Sequence, residues 1–226
     1  EVDLPELRKI YRGPIVANIS GFSVDEYREV AAQVDREEQV EILEINISCP
    51  NVDHGGSAFG SNPKLSEEIT RAVRDVTEKP IFMKPGHKGR GGAEQLDITE
   101  IAKACESGGA DGISLINNFK AMRIDLKTRK TITSKTYAGL SGPAIRPIAM
   151  RMVNEVYHAC KLPIIGIGGI SCADDVLEMI MAGATGIEIG SANLVDPWTC
   201  QKTIDALPKR MKELGIRNLE EIRGVV

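Results

Sequence analysis

The sequence has 226 residues, 42% hydrophobic and 27% charged, with a formal net charge of -4. That length suits one large α/β domain with a full hydrophobic core, and the mildly acidic balance gives no reason to expect nucleic acid or an anionic membrane as partner. No run approaches the ~20 apolar residues of a membrane span, and the first residues show no signal-peptide pattern. The five cysteines, Cys49, Cys105, Cys160, Cys172 and Cys200, are far apart and form no CxxC pair. Neither a zinc site nor a disulfide framework is indicated, and a reducing cytoplasm is the simplest compartment.

In chain order, short apolar blocks predict strands at 14–19, 41–47, 80–84, 111–116, 163–167 and 185–189. Blocks of this kind, rather than long alternations, mark parallel strands covered by helices. Between them run stripes of 3.6-residue period. Over 64–78 the stripe is Leu65, Ile69, Ala72, Val73 and Val76, with Glu67, Glu68, Arg71 and Arg74 left for solvent. Over 98–105 it is Ile98, Ile101, Ala102 and Cys105, and over 143–159 it is Ile145, Ile148, Met152, Val153 and Val156. Ser171 is the expected N-cap of the next helix, which ends at Gly183, and Pro197 falls in the first turn of the last long one.

Six βα units in a row predict a parallel α/β fold, either an open doubly wound sheet or a (βα)8 TIM barrel. The glycine-rich strand ends Gly166-Ile167-Gly168-Gly169 and Gly190-Ser191-Ala192 decide for the barrel. Backbone N–H groups there suit a phosphate held at its seventh and eighth strands. Counting back numbers the six strands three to eight, so the first two βα units of the barrel are expected to be missing from this sequence.

In such a barrel the reacting groups stand at C-terminal strand ends. Residues 46–51, Asn-Ile-Ser-Cys-Pro-Asn, occupy that place and crowd two amides, a hydroxyl and a thiol together. Amides offer both donor and acceptor to an imide-like ring edge. Cys49 is therefore the candidate functional thiol, open as base, nucleophile or inert thiol, while Cys105 and Cys160 read as small buried hydrophobes. His54 offers a weaker Cys–His pairing. The glycine-rich run 52–60 is expected as a mobile cover. Lys84, Asn117 and Asn118 also end strands, and the basic, glycine-rich stretch 85–96 reads as a solvated insertion or an anion cradle.

The runs NISCPNVDHGGSAFG, SLINN, IDLKTRK, GLSGPAIRP, KLPIIGIGGI, VLEMIMAGATGIEIGSA and DPW, colinear from about residue 14 to the C-terminus, resemble the class 1 dihydroorotate dehydrogenases, nearest to subtype 1B. The SCPN run by itself is also similar to dihydropyrimidine dehydrogenase. The resemblance implies an FMN-dependent oxidoreductase converting dihydroorotate to orotate in pyrimidine biosynthesis. Cys49 would remove the C5 proton while FMN accepts hydride from C6. It assigns Asn46, Asn51, Asn117 and Asn118 to the substrate, Asn118 standing where Thr is usual. It assigns Asn18, Asn46, Lys84, Ile116, Gly142, Gly168, Gly169, Gly190 and Ser191 to FMN, Ser191 replacing a common Thr. It also implies one FMN-binding domain over 1–226 and a homodimer, or a heterotetramer with an electron-transfer subunit carrying FAD and a 2Fe–2S cluster and reducing NAD. Another dihydropyrimidine as substrate, or a truncated barrel without catalysis, are the alternatives.

Overall fold

Alternation along a strand sends successive side chains to opposite faces, and in this protein the two faces differ sharply in chemistry. The computed structural model describes residues 3–48, 59–86 and 97–226. The chain divides into two compact units, Glu1–Ser114 with Ala159–Pro163 and Leu115–His158 with Ile164–Val226.

In the first unit the order is α1 (Asp3–Ile10), β1 (Val16–Ile19), α2 (Val24–Asp35), β2 (Ile42–Asn46), α3 (Pro63–Arg74), β3 (Ile81–Lys84), α4 (Ile98–Ser107) and β4 (Gly112–Leu115). The strands pair in parallel in that order, with Asn18 opposite Glu44, Asn46 opposite Lys84 and Phe82 opposite Gly112. One face carries Leu43, Ile45, Ile47, Ile81, Met83 and Ile113, all fully buried, as are Tyr27, Ile69, Val73 and Ile101 on the helices. This is the apolar core. Helix starts follow capping rules. Ser23 accepts from Glu26 N at 3.2 Å while Glu26 accepts from Phe22 N at 2.6 Å, and Asn62 caps α3 with Pro63 in its first turn. The sequence predicts α3 as far as 78, but it stops at Arg74. Beyond it Thr77 bonds Asp35 at 2.5 Å and Lys79 caps the carbonyls of Val34 and Glu37, so tertiary bonds replace the last helical turn. Arg74, expected in solvent, instead pairs with Asp111 at 2.9 Å.

The second unit carries α5 (Arg146–Ala159), β9 (Ile164–Ile167), α6 (Ala173–Met181), β10 (Gly186–Glu188), α7 (Ala192–Val195) and α8 (Thr199–Glu213), with β9 and β10 parallel. Before α5 come two antiparallel ribbons that the sequence reading did not resolve: β5 (Phe119–Ala121) with β8 (Ala138–Leu140), and β6 (Ile124–Asp125) with β7 (Lys130–Thr131). The tip of the inner ribbon is an Asx turn, Asp125 Oδ1 accepting from Lys127 N at 2.8 Å and Thr128 N at 2.9 Å. On α5, Ala149 is buried and Ile148 is exposed, because a 3₁₀ turn over Pro143–Ile145 shifts the phase of the stripe. Pro197 lies just before the N-cap of α8, Trp198, rather than inside the helix. No helix among the described residues is long and apolar enough to cross a membrane.

Candidate active site

Each unit presents one polar region, built in a different way. In the first unit the strand face turned from the helices carries Glu44, Asn46 and Ser48 from β2 and its end, Asn18 from β1, and Phe82 and Lys84 from β3. Glu44 is only 3% exposed. Its Oε1 accepts from Lys84 Nζ at 3.0 Å and from the Asn18 amide. Asn46 Nδ2 donates to Asn18 Oδ1 over a long 3.5 Å, and Asn46 Oδ1 accepts from Ser48 N and Oγ at 3.2 and 3.0 Å. The Tyr27 hydroxyl donates to the Asn46 carbonyl at 2.7 Å, tying the strand end to α2. Lys84, Asn18 and Asn46 are thus joined in one polar network. Sequence reasoning missed Glu44, whose only signal was an acid between Leu43 and Ile45 at the same parity as Asn46.

Cys49, Asn51 and His54 lie outside the described residues, as does 87–96 within the basic glycine-rich stretch. The chain on either side of them is fixed. Ile47 N donates to Lys84 O, Gly60 N to Ile47 O at 2.8 Å, and Gly86 N to Gly60 O. A Cβ on Gly60 would stand 2.5 Å from both Ile47 O and Gly86 N, so this close approach of backbones needs glycine.

In the second unit the strand ends form a cavity of about 510 Å³, lined among others by Ser141, Gly142, Gly169, Ser171, Ser191 and Asp196. Gly142 takes φ 92°, ψ -172°, a conformation essentially confined to glycine. Gly169 has φ 73°, and a Cβ there would lie 2.6 Å from Gly142 O. Gly168 lies beside Ile116, which is buried. A Cβ on Gly190 would meet nothing within 4 Å. Arg146, whose side chain packs beside Gly169, is already engaged: it pairs with Asp175 and, at 3.5 Å, with Glu178. Asp196 pairs with Lys202 at 2.5 Å; that bond and the Trp198 N–H hold its carboxyl below the usual range. The cavity therefore offers backbone and hydroxyls to a ligand, a donor set that fits a phosphate held by N–H groups. The N-cap of α6 is Cys172 rather than Ser171. Asp175 accepts from both Ser171 N and Ser171 Oγ at 2.9 Å, so the serine is drawn into a capping box from one position upstream.

Asn117 and Asn118 follow β4, with Asn118 N donating to Asn117 Oδ1 at 2.8 Å. The amide of Asn118 packs on Gly139 of β8, where a Cβ would approach its Cγ to 2.5 Å. The other cysteines sort as expected where they are buried. Burial pushes the Cys105 thiol up to about 12 and, more weakly, raises that of half-buried Cys160. Cys172 and Cys200 are exposed.

The sequence profile of the family described as dihydroorotate dehydrogenase matches residues 4–211. The chain belongs to the dihydroorotate dehydrogenase family. It is 49% identical over 219 residues to the dihydroorotate dehydrogenase B (NAD(+)) catalytic subunit of Enterococcus faecalis strain OG1RF, covering 97% of this chain and 68% of that protein. It is 45% identical over 221 residues to the protein of the same name from Listeria monocytogenes serotype 4a, covering 98% of this chain and 70% of the relative. Membership of the family settles the fold class as a (βα)8 TIM barrel, and β1 to β4, β9 and β10 correspond to its strands three to eight.

Proposed function

We propose that this protein uses FMN to oxidise dihydroorotate to orotate in pyrimidine biosynthesis. The observation that carries the reading is 49% identity across 97% of the chain to a protein named as the catalytic subunit of dihydroorotate dehydrogenase B. The two polar regions support it. The cavity of the second unit, with Gly142, Gly169 and Ser191 in its lining and Gly168 and Gly190 next to them in the chain, supplies backbone N–H groups and a hydroxyl for the FMN phosphate. Asn18, Asn46 and Lys84 of the first unit, and Ile116 of the second, serve the flavin ring. Asn46, Asn51, Asn117 and Asn118 hold the pyrimidine through donor–acceptor pairs.

FMN, when bound, accepts the hydride from C6 of the substrate. Cys49 takes the proton from C5, and Ser48, the residue before it, is itself anchored to Asn46 through both its N–H and its hydroxyl. A thiol near its ordinary pKa of ~8.5 is mostly protonated at neutral pH, so either the site favours the thiolate or turnover rises as pH climbs toward that value. A partner subunit would hold FAD and a 2Fe–2S cluster and would supply electron transfer to NAD, and two copies of the chain would pair as a homodimer.

The test is the flavin spectrum of the purified protein under anaerobic conditions. Bleaching on addition of dihydroorotate is expected, and bleaching by dihydrouracil alone would overturn the substrate. Cys49→Ser is expected to retain FMN while turnover falls by roughly 10²-fold or more, as for loss of a general base. Unchanged turnover would remove Cys49 from the mechanism.

A further inference from the structure

One charged group in the first unit is used by none of these assignments. Glu44 sits mid-strand in β2, and its Oε2 is buried with no hydrogen-bond partner among the described residues. The Glu44–Lys84 pair is almost dry, with side-chain exposures of 4% and 13%. Strands β1 to β3 are already joined by their backbone ladder, and a buried ion pair is weak evidence for a stabilising role. What the carboxylate does supply is direction. An ionised carboxylate only accepts hydrogen bonds. Asn18 must therefore turn its Nδ2 toward Glu44, which leaves Asn18 Oδ1 to face Asn46 Nδ2. Asn46 Oδ1 is then left to accept from Ser48, the residue before Cys49. The same Glu44 oxygen holds Lys84 Nζ at 3.0 Å.

We propose that Glu44 is a positioning residue: it fixes the orientation of the Asn18 and Asn46 amides and the place and net charge of Lys84 for the flavin. The proposal rests on the FMN reading above. Sequence separation explains why no local pattern shows it, since Glu44 meets Asn18 and Lys84 across 26 and 40 residues.

The test compares Glu44→Gln, Glu44→Asp, Lys84→Met and the double variant Glu44→Gln/Lys84→Met with the unaltered protein. It measures FMN dissociation by fluorescence and the midpoint potential of the bound flavin, with a melting curve to show that each variant folds. Gln keeps the shape but loses the charge and can also donate, so the amide order is no longer dictated. FMN affinity is expected to fall about tenfold, as for loss of one charge-assisted bond. The potential is expected to move upward, because the negative charge held 3.0 Å from Lys84 Nζ is removed. In the Lys84→Met background the potential shift is expected to vanish. Glu44→Asp withdraws the carboxylate by one methylene and falls between the unaltered protein and Glu44→Gln; should Glu44→Gln not fold, it is read alone against Lys84→Met. Affinity and potential unchanged in the Glu44 variants, while the unaltered protein binds FMN, overturn this proposal alone. A potential shift of equal size with and without Lys84 overturns it as well. An unaltered protein that takes up no FMN overturns the flavin reading, and this proposal with it.

Discussion

The two units handle charge in opposite ways. In the first, side chains do so: a nearly dry carboxylate, a lysine and two amides share one strand face, and their order follows from which atoms donate. In the second, the cavity near 510 Å³ presents backbone and hydroxyls beside one carboxylate, Asp196, already paired with Lys202, and the neighbouring Arg146 is consumed by Asp175 and Glu178. A change in the first region alters a charge or the direction of an amide. A change in the second alters the path of the main chain. The contrast teaches that substitutions of similar size should fail differently: by affinity and potential in one region, by folding and affinity together in the other.

Gly169→Ala is the hardest test of that contrast. Its Cβ would lie 2.6 Å from Gly142 O and 2.9 Å from Arg146 Cβ, at a φ of 73°. Left-handed backbone costs a non-glycine residue ~1–2 kcal/mol, and displacing packed atoms adds ~1–3 kcal/mol. A loss of about 3 kcal/mol in urea unfolding is expected, together with lost FMN binding. A loss below ~1 kcal/mol would show that this backbone gives way easily.

Asp175→Asn comes next. Burial by itself would raise the Asp175 carboxyl, but the Ser171 N–H and hydroxyl, followed by Arg146, outweigh it and hold it below the usual range. A depressed carboxyl contributes stability that is present above its unfolded pKa of ~3.9 and is lost as pH falls through the lower folded value. Asn keeps an acceptor for Ser171 but removes the charge facing Arg146. The expected cost is roughly 2 kcal/mol at pH 7, within the range for hydrogen bonds to a charged group. It should shrink as the pH is taken down through the acid range. A difference between variant and parent that ignores pH would separate Asp175 from the charge balance of this region.

These residues also show what could be read from the sequence. All six parallel strands were legible, each within two residues at its ends, because helix-covered strands leave short apolar blocks closed by glycine or proline. Asn46 and Lys84 were legible as polar strand ends and Gly168 and Gly169 as a glycine-rich strand end, whereas Asn18 and Gly142 came only with the family resemblance. Glu44 was not legible. In EILEINI the second acid, Glu44, looks like a solvent position as Glu41 is, and only the neighbours β1 and β3 on either side make it buried. The cap of α6 was misplaced by one residue for a related reason, since Asp175 takes up the Ser171 hydroxyl that would otherwise have done the capping. Cys49 and Asn51 lie outside the described residues, so their roles rest on the resemblance and on the variant proposed above.

The smallest expected effect on the fold is also the cleanest separation of fold from ligand. Gly142 and Gly169 are glycines for reasons internal to the protein, so replacing either confounds folding with binding. Gly190, after β10, has open space where a Cβ would go, with no atom within 4 Å. Gly190→Ala is therefore expected to change stability by less than about 0.5 kcal/mol, as for substitutions that touch nothing. If FMN phosphate approaches the backbone there, the added methyl stands in the ligand's place, and affinity falls about tenfold at unchanged melting temperature. Binding equal to the parent's would take the end of β10 out of the phosphate site and leave Gly142, Gly169 and Ser191 to carry it.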